Sequence, residues 1–313
     1  MISLKNMTRI FIGLAVMLAL VIYTIRYYVS ESMLKPERFL IENNFEQFKR
    51  GFSPLDNRII NAKAIDIYGE DSIRLSAYYI PGLHNKTNKT IIGLHDLGSC
   101  KEHLYTMARW AQERGISTLI FDLRAHGKSE GEHFTYGKKE TTDLIKIVDW
   151  IKQTKPSSNI GLWGFSSGAG IAIQSMAKDD RISFAILENT YLKNQDLALS
   201  KQEYVPKFIS KLAFQRVKSI INSDDKNDPV ELANQVKQNV LMIHGEKNQF
   251  LSLRDSKELF EALRSKNKNY LTQLRLDTSC NNLDYKNVNY NKNSLVKYFL
   301  AYNIFVFLLS FSY

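Results

Sequence analysis

Apolar positions fall along this chain in three patterns. The first is a nearly unbroken run, residues 10–29 (IFIGLAVMLALVIYTIRYYV). As a helix its twenty residues would reach about 30 Å, the thickness of a bilayer core. The second pattern is alternation. NAKAIDIY (61–68) and SIRLSAYYI (72–80) exchange apolar and polar residues around Gly69-Glu70-Asp71, which predicts a hairpin. The third is a repeated exchange of short apolar runs for stretches of helical spacing. The runs are TIIGLHD (90–96), STLIFD (117–122), residues 160–163, SFAILEN (183–189), NVLMIHG (239–245) and YLTQLRL (270–276). Helices are predicted over 103–114, 138–152 and 253–263, another just after residue 166, and a last one from about Ser294.

Strand–helix repetition of this kind predicts an α/β chain with a mostly parallel, doubly wound sheet covered on both faces. Residues 191–225 break the rhythm, with helical spacing and no strand between. The final YFLAYNIFVFLLSFSY (298–313) shows little polar face; at sixteen residues after Lys297 it is short for a second membrane span and reads as a buried or membrane-skimming helix. The organisation expected is a short basic tail (1–9), a transmembrane anchor (10–29), a polar connector (30–60) and one α/β domain (61–313).

Flanking residues support the anchor. Lys5 and Arg9 precede the run, and Arg26, Tyr27 and Tyr28 stand where interfacial anchors lie. A cleaved signal peptide is the rival, but its apolar core is shorter and ends at small residues. No A-x-A-like site follows Leu20. Lys5 and Arg9 are opposed by Arg26, Lys35 and Arg38 across the run. The short basic tail leans towards an extracytoplasmic globular domain.

Length and composition add bounds. A chain of 313 residues, 44% apolar and 24% charged, can bury a large core. The net charge of +10 comes from lysines scattered along the chain. No basic groove or aromatic platform accompanies it, so no nucleic-acid partner is expected. Cys100 and Cys280 make neither a disulfide scaffold nor a metal site, and no metal or cofactor is expected.

The chemistry concentrates at Gly164-Phe165-Ser166-Ser167-Gly168, a G-x-S-x-G turn between a strand and a small-residue helix. A serine on such a turn is forced into a strained conformation that lifts its hydroxyl clear of the sheet. Gly164 and Gly168 allow the strand and helix to approach. The helix aims its free N–H groups at the place where an oxyanion would form.

This segment resembles the nucleophile elbow of the α/β-hydrolase superfamily. The resemblance is carried further by His95-Asp96-Leu97-Gly98-Ser99, similar to the family's H-G-x-G, and by Asp122-Leu123-Arg124-Ala125-His126-Gly127, similar to its D-x-R-G-H-G. It covers roughly residues 60–300, and extends to lysophospholipases and esterases of the serine hydrolase type. It implies an α/β-hydrolase fold with antiparallel strands opening the sheet and a helical cap at 191–225. It also implies Ser166 as nucleophile, the amides of Leu97 and Ser167 as oxyanion donors, and structural roles for His95, Asp122, Arg124 and His126. Asp96 stands where glycine is common, and a carboxylate there would repel an oxyanion unless it pointed away.

The triad slots depart from the family. After NVLMIHG the pattern H-G-x-x-D is met by His244-Gly245-Glu246-Lys247-Asn248, so Asn248 fills the acid slot. No histidine follows His244, and Cys280 stands in the histidine slot. An amide cannot offset an imidazolium charge, and a thiol is a poor base. Glu188, Glu246, His126 and His95 are the alternative acid–base candidates, since sites in such sheets form at the carboxyl ends of strands. Two readings follow. One is a membrane-anchored serine hydrolase of weak activity on ester or acyl bonds of small or lipid-like substrates. The other is a hydrolase-like protein that binds such a ligand without turnover.

Overall fold

The computed structural model describes residues 4–40, 61–85, 87–156, 158–246, 248 and 251–273. Eight strands form one sheet: β1 Lys63–Tyr68, β2 Arg74–Ile80, β3 Lys89–Leu94, β4 Ser117–Phe121, β5 Asn159–Phe165, β6 Ile182–Glu188, β7 Asn239–Gly245 and β8 Lys268–Gln273. Their spatial order is β1-β2-β4-β3-β5-β6-β7-β8. β1 pairs antiparallel with β2, and β2 antiparallel with β4; every later pairing is parallel. The edge strand β1 keeps its alternation because only one face is covered. β3, β5, β6 and β7 are buried on both faces and read as continuous apolar runs.

The helices are α1 Leu4–Leu34, α2 Tyr105–Glu113, α3 Glu140–Thr154, α4 Ser167–Met176, α5 Asn194–Ser200, α6 Lys207–Ile220, α7 Pro229–Ala233 and α8 Leu253–Ala262. α2 covers one face of the sheet, where Leu104, Met107 and Ala108 meet Trp163, Phe184 and Ile243. α3 and α4 cover the other, where Leu144, Ile147, Ile171 and Ile173 join Leu162, Ala185 and Met242. From β3 the chain turns one way to β4, then crosses back to β5 on the other side. The loops after β3 and β5 therefore diverge at a topological switch point, where such sheets form their crevice.

Several elements differ in extent from the pattern reading. A 3-10 turn, Lys101–Leu104, precedes α2, because Asp122 holds both the Lys101 amide (2.7 Å) and its ammonium (2.6 Å). α3 starts at Glu140, whose carboxylate folds back to accept the amides of Thr135 and Gly137, both at 2.7 Å. The cap is made of α5 and α6, with α7 continuing to Ala233, beyond the expected end at 225. Residues 274–276 of the last predicted strand, and the helix expected from Ser294, lie outside the described residues.

α1 is longer than the apolar run in it. It begins within the tail expected at 1–9 and continues five residues into the stretch expected to be connector, stopping short of Pro36. Its exposed side chains run from Leu4 to Tyr28, while Val29, Ser30, Met33 and Leu34 are buried against the domain. Arg26 Nε donates to Leu212 O on α6 (3.1 Å). Arg216 of α6 donates to Ser30 Oγ (2.6 Å) and Glu31 (2.9 Å), with its guanidinium over the Tyr27 ring.

Candidate active site

Ser166 stands between the end of β5 and the start of α4 with φ 50° and ψ −107°, a left-handed conformation that costs a non-glycine residue energy. Three backbone bonds keep it there. Its N–H donates to Glu188 O on β6 (2.8 Å), and its carbonyl accepts from Ala169 (3.0 Å) and Gly170 (3.2 Å). The two flanking glycines are steric requirements. A Cβ on Gly164 would lie 2.5 Å from Gly168 O, and one on Gly168 would lie 2.4 Å from Leu94 O. The turn thus packs backbone on backbone.

The loop after β3 meets this turn through Asp96. Its carboxylate points inward. Oδ1 accepts the Leu97 N–H (2.7 Å) and the Ser167 N–H (3.3 Å), and Oδ2 accepts the Lys201 ammonium (3.0 Å). The Ser166 side chain lies close enough to the same carboxylate to favour its charged form. Burial pushes the Asp96 carboxyl up, but Lys201, the Ser166 hydroxyl and the Ser167 amide outweigh it and hold the group below its ordinary value. The two amides expected to serve an oxyanion do converge on one point, and the chain's own carboxylate occupies that point. The substitution of aspartate for glycine was visible in the sequence, but its direction was not. Lys201 carried no local signal, because it arrives from the cap, 105 residues away.

The surrounding motif residues are braces. Asp122 is fully buried and accepts from Lys101 and from the Lys128 amide (2.9 Å). Arg124 makes a two-pronged pair with Asp143 at 2.7 and 2.8 Å. His95 is engaged at both ring nitrogens. Nδ1 donates to Asp96 O (2.7 Å), so Nε2 is the acceptor for the Leu123 amide (3.0 Å). It therefore has no lone pair to offer as a base. His126 Nδ1 donates to Arg124 O (2.8 Å), and burial beside His95 pushes its pKa down to about 3.

Glu188 behaves differently. It ends β6 opposite Phe165, is 7% exposed, and takes the Trp163 indole N–H at 2.6 Å. Burial pushes its carboxyl up to about 7, against the opposing Trp163 bond. Glu246 is exposed at the end of β7. Asn248 serves its own turn: its N–H donates to Gly245 O (3.0 Å) and its Oδ1 accepts the Leu251 N–H (2.9 Å). Cys280 lies outside the described residues. Cys100 is buried with its sulfur 3.7 Å from His103 Nδ1, and burial pushes its thiol up. Among the described residues no three His, Cys, Asp or Glu side chains gather as a metal site.

Comparison with known proteins agrees with this architecture. Residues 85–227 match the family model described as "Serine aminopeptidase, S33". An uncharacterized 31.7 kDa Escherichia coli protein from the traX-finO intergenic region is 36% identical over 73 residues, 22% of this chain and 26% of that protein. Human protein ABHD12B is 25% identical over 216 residues, 64% of this chain and 57% of its own length. The chain thus spans about a quarter of the first relative and just over half of the second. Among solved structures, an esterase of Pyrococcus furiosus superposes with TM-score 0.67 at 23% identity, covering 88% of this chain and 98% of the esterase. With the switch-point crevice, the strained elbow serine and the antiparallel opening strands, these matches show that the chain has the α/β-hydrolase fold.

Proposed function

We propose that the protein is a membrane-anchored serine hydrolase of low turnover, acting through Ser166 on ester or related acyl bonds. The observation that carries this reading is the elbow itself. A serine is held at positive φ at the head of α4, facing two convergent backbone amides. Strain of this kind persists where the surroundings enforce it, and it serves to present a nucleophile. The esterase likeness supports an ester substrate, and the exposed apolar length of α1 supports an anchor and a lipid-like acyl group.

In this reading the acyl carbonyl enters beside Ser166 and its oxygen takes the place of the Asp96 carboxylate at the Leu97 and Ser167 amides. Asp96 leaves with Lys201 as its counter-ion. Ser166 Oγ bonds to the acyl carbon and its proton passes to a nearby base; the ester C–O bond then breaks as that proton goes to the leaving alcohol, and water next attacks the acyl-serine, releasing the acid and restoring the Ser166 hydroxyl. With Asn248 in the acid slot and His95 fully engaged, Glu188 is the carboxyl whose raised pKa suits that proton transfer. Turnover is low because the oxyanion donors must first be vacated and no imidazole–carboxylate pair assists.

The filled amide pair also favours the second reading, a binding protein that takes an acyl ligand without turnover. Fluorophosphonate labelling of the purified full chain separates the two. Slow labelling that disappears in Ser166→Ala supports hydrolysis. If the wild type stays unlabelled while Asn248→Asp/Cys280→His labels, the scaffold binds and the chemistry is lost.

A further inference from the structure

We infer that the tip of the cap, centred on Tyr204, Phe208 and Leu212, docks on an anionic phospholipid bilayer beside α1. The inference rests on α1 being an anchor. Two contacts set the geometry. Arg26 meets Leu212, and Ser30 meets Arg216, so a step of four residues along α1 matches a step of four along α6. The two helices therefore run parallel where they touch, and each such step rises about 6 Å. One step back from Arg26 and Leu212 brings Phe208 level with Ile22, inside the 10–29 apolar run. The chain reaches that level by descending: Gln202 Nε2 bonds Ser32 Oγ (3.3 Å), ten residues further up α1 than Ile22, roughly 15 Å. Residues 203–206 thus form a downward loop at the side of α1, and α6 climbs back from it.

The chemistry of that tip is not the chemistry of a core. α6 already satisfies the domain with Ile209, Ala213, Phe214 and Val217, which are buried. Tyr204 is 94% exposed, Phe208 59% and Leu212 39%, on the side away from those residues. On α1, Leu18, Val21 and Ile25, all within about one turn of Ile22, are exposed apolar side chains too. Exposed Lys207 and Lys211 flank them, against a single exposed acid, Glu203. Aromatic side chains with flanking lysines suit the headgroup layer, and lysines near an anionic leaflet add attraction. The same loop carries Lys201, the partner of Asp96. A tip seated in lipid would therefore hold the mouth of the Ser166 site at the bilayer surface, where a lipid-like acyl substrate would be presented.

The test uses the full chain reconstituted in phosphatidylcholine vesicles with and without phosphatidylglycerol, the acyl chains brominated to quench tryptophan. Phe208→Trp is compared with Ile220→Trp, which is exposed on the same helix about 18 Å further on. The fluorescence of the wild type, with its Trp110, Trp150 and Trp163, is subtracted. Quenching at least twofold stronger for Phe208→Trp than for Ile220→Trp is expected. Lys207→Glu/Lys211→Glu in the Phe208→Trp background should reduce it in the anionic vesicles only. Equal quenching at the two positions overturns the docked tip while leaving the anchor. An unchanged signal after the lysine reversal overturns the anionic preference. A chain that fails to float with vesicles removes the anchor reading and this inference together.

Discussion

Replacing Asp96 with alanine should make Ser166 more reactive, although aspartate lies within the site. The carboxylate accepts from both amides that would stabilise a tetrahedral oxyanion. While it remains, an oxyanion forming about 4 Å away meets a repulsion of about 4 kcal/mol at an effective dielectric of 20. A single oxyanion donor is worth about 10²–10³ in rate elsewhere. Removing the carboxylate returns two donors and abolishes the repulsion, so fluorophosphonate labelling of Ser166 should accelerate by about 10²-fold or more. The gain has a cost. The Leu97 and Ser167 amides lose a partner in the free protein, about 1–3 kcal/mol unless water enters, which lowers Tm by roughly 2–4 °C per kcal/mol in a domain of this size. Asp96→Asn keeps an acceptor and loses the charge, so its gain should be smaller. The assay is the time course of probe labelling, with Ser166→Ala as blank and circular dichroism as control. A folded Asp96→Ala chain that labels at or below the wild-type rate would refute the reasoning.

Glu188→Gln should flatten the pH dependence of labelling, which in the wild type is expected to rise through about 7. The same group has a signature in stability. Its folded pKa is raised, so its contribution is present below about 4.5 and is lost as pH rises to about 7. The loss amounts to about 3 kcal/mol, and Glu188→Gln should remove that decline in urea titrations at pH 5 and pH 8. Arg124→Met leaves Asp143 as an unpaired buried carboxylate, and a loss of about 3–5 kcal/mol is expected by denaturant unfolding. Gly168→Ala forces a Cβ to 2.4 Å from Leu94 O and 2.8 Å from His95 O, both backbone atoms. That variant should lose Ser166 labelling together with a large drop in Tm, and Gly13→Ala, with open space around it, should lose neither.

Local pattern determined much of this protein. The continuous run at 10–29, the alternation around Gly69 and the exchange of strands for helices each report a rule acting over a few residues. Strand and helix register follow from which faces must be dry, so the α/β architecture was legible from apolar spacing alone. The elbow was legible for the same reason: its two glycines and its serine are separated by single residues, and the steric demand is local. The departures at Asn248 and Cys280 are likewise expectations measured against a motif, and Cys280 lies outside the described residues. Tertiary structure decided what the sequence left open. Whether Asp96 turned towards or away from the two amides depended on Lys201, brought from the cap by folding. Whether His95 could serve as a base depended on the Leu123 amide, 28 residues off. The course of α1 beyond its apolar run depended on Arg216 of the cap, which donates to Ser30 and Glu31. Each of these is a long-range contact between polar groups, and a buried polar group takes whichever partner the packing of the apolar elements brings within hydrogen-bond distance.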